Sequence, residues 1–570
     1  MRQNRSAALR IIVYALAMPV ATGAVGLSLA RQVHSQSTQR TLEAGLAAQV
    51  DQIFAGSDKA DSPGCALAMM RDGHIVYDRG YGMANLNDNI PITPSTVFNV
   101  ASMSKQFTAT AIVLLAQQGK LSLDDDVRKY VPELPEVSPR IAVRHLLHHT
   151  SGMRCDLEEL AGWRLREDLH SKDDMLELLS RQTGVNSRPG EKYYYCNNGY
   201  ELLALIVERA SGQSFRDFTR THIFEPLGMN HSFFRDDPSE VIRHLAYGHY
   251  RAPDGSFRVS FPNWQGVGAT NLHTTVEDLS LWDQNFYDPR VGGEALIQQL
   301  RERARLSNGE TAGYGYSFGS FRKEYKGLST TELMGGGGGY LAYLMRFPDV
   351  RFSAVALCNG GANPFELLPR VVDVVLAGEL KETPSLPPVH LTAQQLASRV
   401  GFYWNREADT FLQIVLGDGA LRLIGVSGDR EMSPVDEDRF RVSSVPVEIR
   451  FESTPGGTPR LKLTWEGEAP SFYEPATQFV PSPEQLQQYV GTYVNEELDA
   501  IWRIALESGT LVLRRLKFKP VVLHAALRDV FTAGPSSLRF TRDSGGSITG
   551  FARMGRSNRN IRFTRIGLLR

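Results

Sequence analysis

Two kinds of hydrophobic periodicity divide this chain. From about residue 390 onward apolar and polar side chains alternate, as in Leu421-Arg422-Leu423 and Arg460-Leu461-Lys462-Leu463-Thr464-Trp465. That is the two-residue repeat of strands with one face buried. The pattern comes twice. Leu396, Val400, Gly401, Tyr403, Asp409, Ile414, Leu416, Gly419, Leu421 and Leu423 recur 90 residues later as Leu486, Val490, Gly491, Tyr493, Asp499, Ile504, Leu506, Gly509, Leu511 and Leu513. Each unit, 390–478 and 482–570, predicts a short helix followed by a small antiparallel sheet. Closing that sheet into a β-barrel would hide its edges. Neither unit shows a cluster suited to catalysis.

Before residue 378 the pattern is mixed. Thr41 to Ala55 fits an amphipathic helix. Two apolar runs, Cys65 to Met70 and His74 to Tyr77, flank Arg71-Asp72-Gly73 and predict a hairpin. Helical patterns follow at 102–119, 141–149, 172–182, 199–211 and 275–286, and strand-like runs return at 341–347 and 352–358. Strands at both ends with helices between predict one sheet assembled from both ends, an α+β domain over 40–378. Lys381 to Pro388 and Pro481-Ser482-Pro483 read as linkers.

The N-terminus stands apart. Arg2, Arg5 and Arg10 precede an uncharged run from Ile11 to Ala30 with small residues at its end. This is the order of an export signal, and the run is also long enough to span a bilayer. Residues 1–35 are therefore expected to be a signal peptide or a retained membrane anchor. The bulk of the chain is expected to be periplasmic or extracellular. With 62 basic and 63 acidic residues in 570, the net charge is −1, which offers no basic field for nucleic acid. Cys65, Cys155, Cys196 and Cys358 are too few and too scattered for a disulfide scaffold or a zinc site. Export would permit disulfides, but the expectation is four free, buried thiols.

Candidate chemistry starts at Ser102-Met103-Ser104-Lys105, which opens an apolar helix. A spacing of three puts Ser102 and Lys105 on one helical face. A serine hydroxyl needs a neighbour to take its proton, and a lysine at that distance can serve. Backbone N–H groups at the helix start favour developing negative charge. A second element is Tyr195-Cys196-Asn197, close after Pro189-Gly190. A tyrosine beside a lysine cation has its phenolate form favoured and can relay a proton. Asn197 can bridge the lysine and a substrate amide. Cys196, between them in an extended segment, is expected to face the core. His145, His148 and His149 lack a carboxylate partner of metal-site type and are expected to pack.

Ser102-x-x-Lys105, the stretch Arg144 to Gly152 (RHLLHHTSG) and Tyr195-x-Asn197 together resemble the penicillin-recognising serine hydrolases. That family includes class C β-lactamases, esterases, DD-peptidases and D-aminopeptidases. Glu225 to Met229 and Gly268 to Trp282 resemble further stretches of it, so the similarity covers about 45–365. The two trailing units resemble lipocalin-like β domains, and the whole chain is similar in layout to D-aminopeptidase, which carries two such domains behind its hydrolase domain. The resemblance implies a β-lactamase/transpeptidase-like domain, an antiparallel sheet flanked by helices, with no metal or organic cofactor. The implied catalytic residues are Ser102, Lys105 and Tyr195. Asn197, Gly335 and Gly336 would bind substrate and hold the oxyanion.

One motif departs. Where the family carries His- or Lys-x-Gly on a sheet-edge strand, counting back from Gly339-Tyr340 gives Leu333-Met334-Gly335. Backbone donors survive that change, but a cation that would clasp a substrate carboxylate is missing. The expected function is an exported serine hydrolase that forms an acyl-enzyme on Ser102. Its expected substrates are small esters, or short peptides and amides with D-residues. A β-lactamase or DD-carboxypeptidase is the alternative enzyme, and a non-catalytic ligand-binding descendant is the alternative of another class.

Overall fold

The computed structural model describes residues 41–567 except 137–139, 162–167, 314, 382–388, 426–427, 444, 446, 454–458, 466–469, 517, 535 and 556–557. The expected signal or anchor (1–35) and most of the first linker lie outside the described residues.

A seven-stranded antiparallel sheet organises the front domain. Its strands are β1 (Cys65–Arg71), β2 (His74–Tyr81), β3 (Tyr316–Ser317), β4 (Ser320–Tyr325), β5 (Leu328–Gly337), β6 (Tyr340–Phe347) and β7 (Phe352–Cys358). They lie in the order β3-β4-β5-β6-β7-β1-β2, so the two chain ends meet at the β7–β1 pair. β1 is apolar at every position but its last because both faces are covered. Cys65, Leu67 and Met69 join one core, and Ala66, Ala68 and Met70 join the other.

Helix α1 (Ala44–Phe54) and helix α5 (Pro364–Val375) cover the first face. The other face carries α2 (Ser104–Gln117), α3 (Asn197–Ser211) and α4 (Val276–Gln284). Arg346 of β6 and Asp283 of α4 form a buried ion pair at 2.6 Å that pins α4 to the sheet.

The α+β reading holds, with two corrections. Only two strands were expected near the C-terminal end of the domain, yet five are present. β4 carries Arg322-Lys323-Glu324, and β5 carries Thr330-Thr331-Glu332 and three glycines, in place of a long apolar run, so their pairing is set by neighbours. The cysteines are also not free. Cys65 and Cys358 face each other in register across β1 and β7 and are disulfide-bonded, and Cys155 is bonded to Cys196. Separations of 293 and 41 residues carry no local sequence signal. Cys196 does point inward, as expected, and is 2% exposed.

Two closed eight-stranded barrels follow, running from Gly401–Asn405 to Ser471–Pro475 and from Gly491–Asn495 to Ile561–Ile566. Short helices at Ala393–Ala397 and Pro483–Gln487 precede them. The repeat is visible in detail. Tyr403 donates to Arg399 O (3.0 Å), and Tyr493 donates to Tyr489 O (2.8 Å). The buried apolar residues of the second barrel form one contiguous cluster with the helical side of the front domain. The first barrel keeps a core of its own.

Non-reducing peptide mapping should return Cys65–Cys358 and Cys155–Cys196 as linked pairs. The C65S/C358S variant should lose about 2–4 kcal/mol of stability in denaturant titration. Free thiols at all four positions would contradict this.

Candidate active site

Ser102 sits in a 3₁₀ turn, Ala101–Met103, that feeds directly into α2. Ala101 has φ +46°, a left-handed conformation that a non-glycine residue holds only when its surroundings enforce it. Here they do. Asn99 Oδ1 accepts from Ala101 N–H (2.8 Å), and Asn271 Oδ1 accepts from Asn99 Nδ2 (3.1 Å). Ser104, off the Lys105 face, is structural. Its hydroxyl donates to Ala101 O (2.5 Å) and accepts from Leu272 N–H (3.1 Å). α2 is buried from Ser104 to Leu115, so Lys105 has no route to water along the helix.

Lys105 is 1% exposed. Its Nζ donates to Ser102 Oγ (3.0 Å), Asn197 Oδ1 (2.9 Å) and Ala269 O (2.8 Å), which accounts for all three ammonium hydrogens. The expected Ser102–Lys105 juxtaposition is therefore present. Asn197 opens α3 and passes the contact on, with Nδ2 donating to Asp156 Oδ1 (3.0 Å). Ala269 O, Asp156 and Asn271 were not foreseen. Ala269 and Asn271 lie in the family-like stretch Gly268 to Trp282, but nothing in it singled out these contacts, and a backbone carbonyl has no side-chain signature at all.

Tyr195 comes in ring first. Lys105 Nζ lies 4.8 Å from its ring centroid, a favourable cation–π distance. Its hydroxyl makes no hydrogen bond to Ser102 or Lys105. The ring also packs 4.3 Å from the imidazole of His149. His149 Nδ1 accepts from Cys196 N–H (3.1 Å), and its carbonyl accepts from Tyr194 N–H (2.8 Å). Burial, reinforced by the nearby Lys105 charge, holds the His149 pKa well below its ordinary value. Neutral His149 therefore accepts on Nδ1. His145 Nδ1 accepts from Ala142 N–H (3.1 Å), and His148 packs edge-on against Phe318.

The glycine run has a steric reason. A Cβ on Gly335 would lie 2.1 Å from Val100 O and 3.1 Å from Ser102 N, so only glycine lets β5 approach the serine this closely. Leu333, two residues earlier, points into the helical-side core and is fully buried, paired with Leu344. This register leaves no cation at the third motif. Gly336 and Gly337 line the open side.

Ser102, Asn197, Gly336 and Gly337 line one cleft of about 900 Å³. Arg515 and Phe518 of the second barrel line the same cleft, although the repeats had offered no chemistry. Glu158 and Glu201 form part of its wall. Both accept from Asn198 Nδ2, at 2.9 Å and 3.1 Å. Burial, then the charges of Glu158 and Asp156, push the Glu201 carboxyl up to about 8.

A sequence model of the beta-lactamase family matches residues 47–377, more than half of the chain. The chain belongs to the beta-lactamase family. It is 30% identical over 412 residues to penicillin-binding protein 4* of Bacillus subtilis (66% of this chain, 88% of that protein). It is 26% identical over 439 residues to a D-aminopeptidase of Gluconobacter oxydans (77% and 80%). Among solved structures, an octameric penicillin-binding protein homologue from Pyrococcus abyssi shares the fold. That structure gives a TM-score of 0.54 at 22% identity, covering 76% of this chain and 100% of the other. Within this beta-lactamase-family member the matched region ends where the barrels begin, so Arg515 and Phe518 lie outside it.

Glu201 gives a pH dependence with a definite sign. Its ordinary value is 4.5 and its folded value about 8, so the folded chain holds an extra proton between them. Stability from this group is greatest below about 4.5 and falls as pH rises through about 8. Thermal unfolding of Glu201→Gln should show a flatter pH dependence across that window than wild type. Identical slopes would refute the assignment.

Proposed function

We propose that this beta-lactamase-family protein is an exported serine hydrolase that works by acyl transfer through Ser102. The observation that carries this reading is Lys105 Nζ at 3.0 Å from Ser102 Oγ, at the edge of an open cleft. As an amine, Lys105 keeps its N–H donors on Asn197 Oδ1 and Ala269 O and turns its lone pair to the Ser102 hydroxyl. Ser102 Oγ attacks a substrate carbonyl and its proton passes to Lys105. The oxyanion is held by N–H groups of Ser102 and the Gly335–Gly336 edge. Tyr195 relays the proton to the leaving alcohol or amine, which needs its hydroxyl to swing towards Ser102. Water then attacks the acyl-enzyme and releases the acid, restoring the Ser102 hydroxyl. No metal or organic cofactor enters.

Small esters, or short peptides and amides with a D-residue, are the proposed substrates. Support comes from the relative named D-aminopeptidase, whose match of 439 residues is longer than the front domain alone, and from Leu333. A buried leucine on the strand edge disfavours carboxylate-bearing β-lactams and DD-peptides. Arg515 and Phe518 support a role for the second barrel in limiting access to the cleft. The two disulfides fit an oxidising compartment and so favour export. Finding the native protein only in the cytoplasmic fraction would argue against it.

A fluorophosphonate should label Ser102 stoichiometrically, and Ser102→Ala should abolish labelling. Lys105→Ala should slow acylation by roughly 10²–10⁴-fold. In a screen of p-nitrophenyl esters, D- and L-amino-acid anilides and nitrocefin, ester or D-anilide turnover should dominate. Robust nitrocefin hydrolysis would favour the β-lactamase alternative. No acylation by any probe would leave the ligand-binding alternative.

A further inference from the structure

The segment that carries Tyr195 is held from two sides. Residues 192–196 have no regular structure, and Tyr193, Tyr194 and Tyr195 alternate in direction. Tyr193 and Tyr195 pack against His149 from within, with ring centroids 5.8 Å and 4.3 Å away. Tyr194 faces the other way, where Arg559 Nη1 of the second barrel donates to its hydroxyl (3.3 Å). The same guanidinium donates from Nη2 to Glu407 O of the first barrel, and the Glu407 carboxylate pairs with Lys192.

The neighbouring front-domain segment is gripped too. Asn558 Nδ2 donates to Cys155 O (2.9 Å), Arg559 N–H donates to Asn186 Oδ1 (2.8 Å), and Asn560 O accepts from Arg154 Nη2 (3.0 Å). Cys155 is bonded to Cys196, and Asp156 accepts from Asn197. Three consecutive residues of the second barrel thus touch both segments that the disulfide joins. Those segments carry Tyr195, Asn197 and the carboxylate behind Asn197.

We propose that Asn558 and Arg559 are positioning residues for Tyr195 and Asn197, so that docking of the second barrel completes the geometry around Ser102. This rests on the acyl-transfer reading for its kinetic consequence but not for its structural one. A buried polar group such as Asn558, 6% exposed, is kept where its partner is fixed, and Cys155 O is that partner. His149 alone grips only the inner face of the tyrosine run. On the outer face it is Arg559 that holds the Tyr194 hydroxyl.

The test uses the full chain carrying N558A/R559A, with Arg559→Met as the milder variant should the double change fail to fold. Hydrogen exchange at the Tyr194 and Cys196 amides, which donate to His149, should quicken by about tenfold or more. Amides of the first barrel should keep their protection. Fluorophosphonate labelling of Ser102 should slow by about 10–100-fold, as expected of a misplaced proton carrier. Ester KM should change far less than kcat, and the pH profile of kcat should shift. Arg559→Lys, which keeps a donor, should recover part of the rate.

Unchanged exchange at Tyr194 and Cys196 would overturn the proposal whether or not the enzyme turns over. Faster exchange with wild-type labelling and an unshifted pH profile would overturn the positioning role and reduce the contact to docking. Failure of wild type to be labelled at all would sink the acyl-transfer reading, and exchange would then decide this one.

Discussion

A buried ammonium governs the centre of this molecule. Lys105 is held away from water and, among the described residues, makes no direct ion pair. An isolated charge in such a place is strongly disfavoured unless hydrogen bonds and nearby counter-charge replace its hydration. The chain answers with Ser102 Oγ, Asn197 Oδ1 and Ala269 O, each at 3.0 Å or less, and with the faces of Tyr195 and Tyr200 at 4.8 Å and 5.7 Å. The counter-charge stands one residue further out, on Asp156 behind Asn197. Satisfying one cation therefore requires α2, the start of α3 and the 266–271 loop to converge. That convergence shapes the cleft.

What could be read from the sequence follows from the range of each interaction. Ser102 and Lys105 meet because a helix repeats every 3.6 residues, so their contact was legible from spacing alone. Leu333 was also legible by counting back from Gly339-Tyr340, and the short turn at Gly338-Gly339 keeps it in β5 opposite Leu344 of β6. Asp156, Ala269 and Asn271 were not, since each acts through a contact that only the folded chain creates. The disulfides belong with them. Tyr-x-Asn is a caution in the other direction. In the second barrel Asn495 Oδ1 accepts from Leu498 N–H (2.6 Å) and shapes a turn, as Asn405 does with Ala408 N–H (2.8 Å) in the first. The same side chains do unrelated work, and only the lysine beside Tyr195 separates them.

The two barrels share a design and use one turn of it alike. Asn405 to Asp409 and Asn495 to Asp499 are equivalent turns at the 90-residue offset. Glu407 in the first pairs with Lys192, next to the Tyr195 run, while Glu497 in the second pairs with Arg154 at 2.6 Å. The second contact is the more buried, with Arg154 at 6% and Glu497 at 17% exposure against 37% and 75% for Lys192 and Glu407. Removing one partner of such a buried pair is far more damaging than breaking an exposed one. Duplication thus supplied two grips on adjacent segments of the front domain, one strong and one weak. The continuous apolar cluster across the second barrel alone fits that order.

The same asymmetry bears on selectivity. On the sheet edge beside Ser102, Gly335 is forced by the approach of Val100 O, and Leu333 is locked into the core, so β5 offers a substrate backbone groups and no charge. Charge in the cleft comes from elsewhere, from side chains such as Asp156 and Lys172 and from Arg515 of the second barrel. Glu201, with its carboxyl pushed up to about 8, keeps its proton at neutral pH. A carboxylic acid in that state can donate a hydrogen bond that a carboxylate cannot. The polar groups that line the cleft beside Ser102 therefore sit on the helical wall and on the second barrel, while β5 lines it with Gly336 and Gly337.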